Sequence, residues 1–241
     1  MSWTERTELM LGPEGLGRLR AAAVAVVGCG GVGAAAAEML ARAAVGHIAL
    51  IDSDCVSESN INRQLLALHS TVGLPKTQVL GLRLKDINPE LELVTVDDYL
   101  TEENVADVLG GLFPGRKLFV VDAIDTLSPK ISLIQYCQSA GVPMVSSMGA
   151  GAKVDATAVH VADISKTYEC PLAHMLRKRL GRLGIRTGFP AVFSTEVPRK
   201  EAIILEETRN KKSQVGTISY LPTVFGCVCA QTAIKHIVGI G

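Results

Sequence analysis

Three polar clusters stand along the first half of the chain, each where an apolar run ends. The first is VVGCGGVG at 26–33, in which Gly28, Gly30, Gly31 and Gly33 spell GxGGxG. Glycines so spaced let a backbone turn tightly from strand to helix, come close to a phosphate and aim N–H groups at it. The second opens at Asp52-Ser53-Asp54 and runs through ESNINRQ (58–64) to VGLPK (72–76), supplying Asn60, Asn62, Arg63, Gln64 and Lys76. The third is DAIDTLSPK at 122–130.

The glycine loop alone does not choose between NAD and ATP. An acid about twenty residues beyond such a loop suits a ribose, and Asp54 is well placed for it. A dehydrogenase holds one bridging pyrophosphate and has little use for two further cations. A site that releases pyrophosphate needs them on the leaving group, which is the use Arg63 and Lys76 would have. Asp125 follows a buried strand, where open α/β sheets bind ligands, and its carboxylate with phosphate oxygens would suit Mg2+. Asp122 could share that role or cap the strand end, and Lys130 could be an ordinary helix residue.

The elements that must position these groups alternate. A short helix over 14–20 leads to strand 22–28, helix 31–44, strand 47–52, helix 76–87 and strand 90–96. Helix 101–110, strand 117–123, helix 128–140 and strand 142–148 continue the series. This predicts an α/β, Rossmann-like, doubly wound, mostly parallel sheet. Beyond 150 the alternation weakens into a mixed α/β elaboration. AVHVADI (158–164) reads as a strand, and 171–185 as an amphipathic helix with Leu172, Leu176, Leu180 and Leu183 on one face. Residues 186–216 look loop-rich, with EETRNKKSQ (206–214) the most mobile segment. One domain over 1–241 is expected, its nucleotide-binding portion 1–150 and its substrate-facing portion 151–241.

Composition narrows the setting. The chain has 241 residues, 48% hydrophobic, with zero formal net charge, so a polyanion must be held by a local basic patch. The C-terminal apolar stretch reads as a buried last helix rather than a membrane span, and no membrane association is expected. The N-terminus lacks a signal-peptide pattern, and the six cysteines are scattered with no CxxC pair. A cytoplasmic protein without paired-cysteine zinc is expected.

In order over residues 6–130, GxGGxG, IDSD, NINRQ, VGLPK, INPE and DAID resemble the ubiquitin-activating-type adenylyltransferase superfamily. That group includes enzymes that adenylate sulfur-carrier proteins. The resemblance implies ATP as cofactor, attacked by a carboxylate to give an acyl-adenylate and pyrophosphate. It also implies nucleotide contacts from the four glycines and Asn62, ribose binding by Asp54, phosphate binding by Arg63 and Lys76, and Mg2+ at Asp125. Arg6 resembles an arginine that reaches into a dimer partner's site, which implies a homodimer.

The C-terminal half separates branches of that superfamily. CPLA (170–173) and CVC (227–229) do not match the zinc cysteines of sulfur-carrier enzymes. Cys227 and Cys229 read as core residues, and Cys170 as a structural cysteine. MGAGAKVDATAVHVADISKTYECPLAHMLRKRL, FSTE (193–196) and GTISYLPTVFG (216–226) instead resemble the tRNA threonylcarbamoyladenosine dehydratases. That implies cyclisation of a modified tRNA nucleoside beside the anticodon. Arg177, Lys178, Arg182, Arg186, Arg209, Lys211 and Lys212 are then candidates for tRNA phosphates; His174 and Glu196 are weaker candidates for the site. A sulfur-relay protein could also dock. The alternatives are activation of a ubiquitin-like sulfur carrier and, from another class, an NAD-binding oxidoreductase.

Overall fold

Apolar strands buried on both faces need helices above and below them, and the chain supplies these in turn. The computed structural model describes residues 2–205 and 213–240. The elements are α1 (Glu5–Ala21), β1 (Ala23–Val27), α2 (Gly31–Arg42), β2 (His47–Ile51), α3 (Lys76–Ile87) and β3 (Glu92–Val96). Then come α4 (Val105–Gly110), β4 (Leu118–Asp122), α5 (Leu127–Ala140), β5 (Met144–Ser147), β6 (Val159–Asp163) and α6 (Pro171–Arg182). The last are β7 (Pro190–Ser194), β8 (Ile203–Leu205), β9 (Ser213–Val215) and α7 (Leu221–Val238).

Seven strands form one sheet in the order β3-β2-β1-β4-β5-β7-β6, parallel except for β6, and β8 pairs with β9 as a separate hairpin. The order reverses between β1 and β4, so a crevice opens beyond their C-terminal ends. Register makes those ends level. Val27 lies opposite Ile51 on one side and Asp122 on the other. Period-two alternation divides β1 between two cores. Val24 and Val26 face α2, α3 and α7, while Ala23, Ala25 and Val27 face α4, α5 and α6.

Two differences from the sequence reading have local causes. The first helix begins at Glu5, not near 14, and breaks at Gly12, whose φ of 74° is open to glycine, before Pro13 restarts it. Residues 186–216 are not mainly loop: PAVFS forms β7, a buried strand between β5 and β6. The run opens on Pro190 and lies between Gly188 and Pro198, which gives it the look of a loop. The α6 helix ends at Arg182, leaving Leu183 exposed, while Ala173, Leu176 and Leu180 are buried. Residues 206–212, with Arg209, Lys211 and Lys212, lie outside the described residues.

The last helix passes a membrane-span test of length and composition, yet it packs on α2, β4 and β5. The contact with α2 is close because both helices present small residues. Ala34, Ala35, Ala36 and Ala37 are fully buried, and a Cβ on Gly226 would stand 2.3 Å from the Val32 carbonyl oxygen. Gly226→Ala should therefore cost about 3 kcal/mol, the upper range for overpacking. A urea melt with an unchanged midpoint would contradict that approach.

Candidate nucleotide site

The turn from β1 into α2 cannot carry side chains at its tightest points. Gly28 has φ of 90°, and a Cβ there would lie 2.8 Å from Ala123 O. A Cβ on Gly33 would lie 1.7 Å from Gly28 O. Gly30 stands at the N-cap of α2 without a side-chain cap, and Gly31 opens the helix against Pro222. The first N–H groups of a twelve-residue helix thus gather at the turn, a setting that favours anions.

The loop is fixed from the next strand by Asp52. Its Oδ2 accepts the Cys29 N–H at 2.6 Å and its Oδ1 accepts the Asp54 N–H at 2.8 Å. Burial raises the Asp52 pKa, with Lys76 working against the shift. Burial, then Asp52, pushes the Cys29 thiol well above its usual range. The sequence reading favoured Asp54 and gave Asp52 no role. The signal for Asp52 is its position: it is the first residue past β2, level with the first glycine.

Asp54 is exposed and pairs with the ammonium of buried Lys76 at 2.7 Å. Arg63 donates to Ser59 O and to Asn62 Oδ1, both at 2.8 Å. Asn62 donates to Thr217 O at 3.0 Å, tying this loop to the segment before α7. The Arg63 carbonyl oxygen is 3.0 Å from where a Gly31 Cβ would stand, so the cationic loop borders the glycine turn. Gln64 is buried, and its Oε1 has no hydrogen-bond partner among the described residues.

Asp125 is exposed on the turn between β4 and α5, whose Ala123 and Ile124 lie against Gly28. Asp122 does not share that position. It is fully buried, paired with Lys130 at 2.8 Å, and accepts from Ser146 Oγ at 2.6 Å. Lys130 is likewise no surface helix residue. No group of three or more His, Cys, Asp or Glu able to hold a metal occurs among the described residues. Mg2+ fits here only when shared between Asp125 and nucleotide phosphates, the arrangement that cation favours.

Beyond β5 several side chains brace the backbone. Glu196 accepts N–H groups from Val154 at 2.8 Å and Asp155 at 2.7 Å, so it shapes a turn. Tyr220 donates to Val154 O at 2.6 Å. Buried Lys153 donates to Glu169 O and Ser194 O at 2.8 and 2.7 Å, and burial lowers its pKa. Cys170 is buried at the start of α6, and His174 is exposed on it. Burial holds the Cys137 and Cys229 thiols up at about 12, so neither forms a thiolate near neutrality.

The outer face of α6 carries Arg177, Lys178 and Arg182, which with Arg186 and Ser165 line a cleft of about 430 Å³. Arg177 also donates to Thr167 Oγ1. Arg6 is exposed at the start of α1. Nearby Trp3 borders the start of β2, and Thr4 receives a bond from Arg20. That is the sheet edge opposite the glycine loop, so the chain does not bring Arg6 to its own site.

The ThiF family model matches residues 5–241. The chain is 42% identical to the tRNA threonylcarbamoyladenosine dehydratase of Bacillus subtilis, over 92% of this chain and 89% of that protein. A crystal structure of the Escherichia coli tRNA N6-threonylcarbamoyladenosine dehydratase in complex with ATP superposes with a TM-score of 0.88. It is 37% identical, and the match covers 98% of this chain and 93% of that one. A molybdopterin-synthase adenylyltransferase of Salmonella typhimurium is 36% identical, but over only 65% of this chain and 61% of its own.

Two substitutions test the geometry. Gly33→Ala should abolish ATP binding in calorimetry, since its Cβ would overlap the Gly28 carbonyl. Asp52→Asn should weaken ATP binding about tenfold, because one loop N–H then meets a donor and an unmade buried hydrogen bond costs about 1–3 kcal/mol. Undiminished affinity in either variant would contradict the assignment.

Proposed function

The chain belongs to the ThiF family, and we propose that it catalyses ATP-dependent dehydration of threonylcarbamoyladenosine in tRNA. The observation that carries this reading is the near full-length match to dehydratases of that name, where the match to the sulfur-carrier branch covers a smaller part. Neither that branch nor an NAD oxidoreductase accounts for the C-terminal half as well.

The chemistry suits the site. The threonyl carboxylate of the substrate attacks the α-phosphorus of ATP. An O–P bond forms, the bond to the β-phosphate bridge breaks, and pyrophosphate leaves. The carbamoyl group of the same side chain then attacks the activated carbonyl carbon, expels AMP and closes a ring, with net loss of one water from the nucleoside. The tethered attacker replaces a cysteine nucleophile at high effective concentration.

On this reading Arg63 and Lys76 neutralise the leaving phosphates, and the glycine turn with Asn62 seats the nucleotide. Asp54 holds the ribose, releasing Lys76 toward phosphate as it does so. Asp125 would hold Mg2+, an ion that would supply charge neutralisation for the leaving group. The basic α6 cleft takes tRNA backbone phosphates. A homodimer would let Arg6 reach a partner's site, and the strong exposure of Leu9 and Met10 on the same arm, 81% each, supports a covered face there. Six free cysteines accord with a cytoplasmic setting.

Incubation with ATP, Mg2+ and threonylcarbamoylated tRNA, followed by mass analysis of nucleosides, should reveal a product lighter by one water. Unaltered nucleoside would refute the proposal. Asp125→Ala should abolish product formation. Lys178→Glu/Arg182→Glu should raise KM for tRNA and steepen no step of ATP binding; an unchanged KM would remove α6 from the tRNA interface.

A further inference from the structure

Lys130 and Asp122 form an ion pair with both side chains fully buried, 0% exposed each. Removing two charges from water is costly enough that such a pair seldom adds net stability over apolar packing. Its location suggests another use. The pair lies directly behind the turn that leads to Asp125, and both members grip that turn. Lys130 Nζ donates to Ile124 O at 3.0 Å, while Asp122 Oδ1 accepts the Ile124 N–H at 3.1 Å.

Ile124 is therefore held on both its peptide groups by the two members of one ion pair. Ala123, one residue earlier, donates its N–H to Val27 O at 2.8 Å. Its carbonyl faces Gly28 closely enough to exclude a Cβ there. Ser146 Oγ completes the arrangement by anchoring Asp122 to β5 at 2.6 Å. Asp125 follows as the next residue, on a turn with little freedom of height or tilt.

We propose that Lys130 is a positioning residue of the nucleotide site. By holding the Asp122 carboxylate and the Ile124 carbonyl together, it sets the Ala123–Asp125 turn against the glycine loop, so that Asp125 meets the metal-bound phosphates of ATP. The proposal rests on the nucleotide-site reading above and not on which carboxylate is activated.

A merely structural pair and a positioning pair differ once stability is restored. Asp122→Asn/Lys130→Met removes both charges at similar volume and leaves no lone buried ion. Its thermal melt and its ATP affinity by calorimetry, with and without Mg2+, are the readouts. The expected result is a melt near that of the natural protein, an affinity lower by about tenfold with Mg2+, as for loss of a well-placed hydrogen bond, and a smaller difference without it. Equal Mg2+-dependent affinity overturns the proposal. If the double variant does not fold, Lys130→Gln keeps a donor for Ile124 O without the charge. A lowered Mg2+-dependent affinity then supports the proposal and an unchanged one overturns it. Natural protein that binds ATP with Mg2+ but leaves the tRNA unaltered refutes the proposed reaction alone; failure to bind ATP refutes both.

Discussion

The register of β1 between its neighbours is the constraint from which the site follows. With Val27 opposite both Ile51 and Asp122, the next residue on each strand emerges at one level. Gly28, Asp52 and Ala123 become neighbours, although about ninety-five residues separate the first from the last, a span that a parallel sheet closes without any disulfide. A slip of one residue would turn every buried valine of β1 to the wrong core and withdraw the glycine loop from the acid that holds it. Hydrophobic burial thus fixes a polar geometry it never touches.

That level edge concentrates charge of both signs within a few residues. Asp52 fixes the loop backbone, Asp54 occupies Lys76, and Asp122 is neutralised by Lys130. The three acids differ in exposure, and their roles differ with it. Asp54 has a side chain 68% exposed against 7% for Lys76, so water can take over its carboxylate, whereas the buried ammonium always needs an anion beside it. Asp122, wholly enclosed, has no such freedom. Similar residue types in similar places act differently because water reaches one and not the other.

Much of this was legible in the sequence. The strand–glycine–helix unit, the cations of NINRQ and VGLPK, and the DAID turn stand in an order that resembles the ubiquitin-activating-type adenylyltransferases. From β1 to β5 the main strands and helices were legible from apolar runs and periodicity, to within a few residues at their ends. What escaped was tertiary in origin. Asp52 and Asp122 look like routine strand-end acids until register shows what each faces. Lys130 reads as ambiguous, an ordinary helix residue being one option, because nothing local announces that its amine is buried. The β7 strand was missed because PAVFS opens on a proline and stands between Gly188 and Pro198, residues that read as loop. The extent of α1 was missed because Gly12-Pro13 looks like a beginning when it is a break.

The near-contact of α2 with α7 has a consequence for how such chains can change. Gly226 and the alanines of α2 leave no room for larger side chains, and Pro222 rests on Gly31 in the phosphate turn. The last helix is thereby locked to the glycine turn, though nearly two hundred residues separate Gly31 from Pro222. Between β7 and α7, Val197, Ile204 and Ile218 are exposed, while backbone bonds from Arg199 to Ala152 O and from Ala152 to Gly216 O hold that stretch to the loop after β5. A larger side chain on either facing surface would therefore displace the glycine turn and the last helix together, so the two can change only in concert.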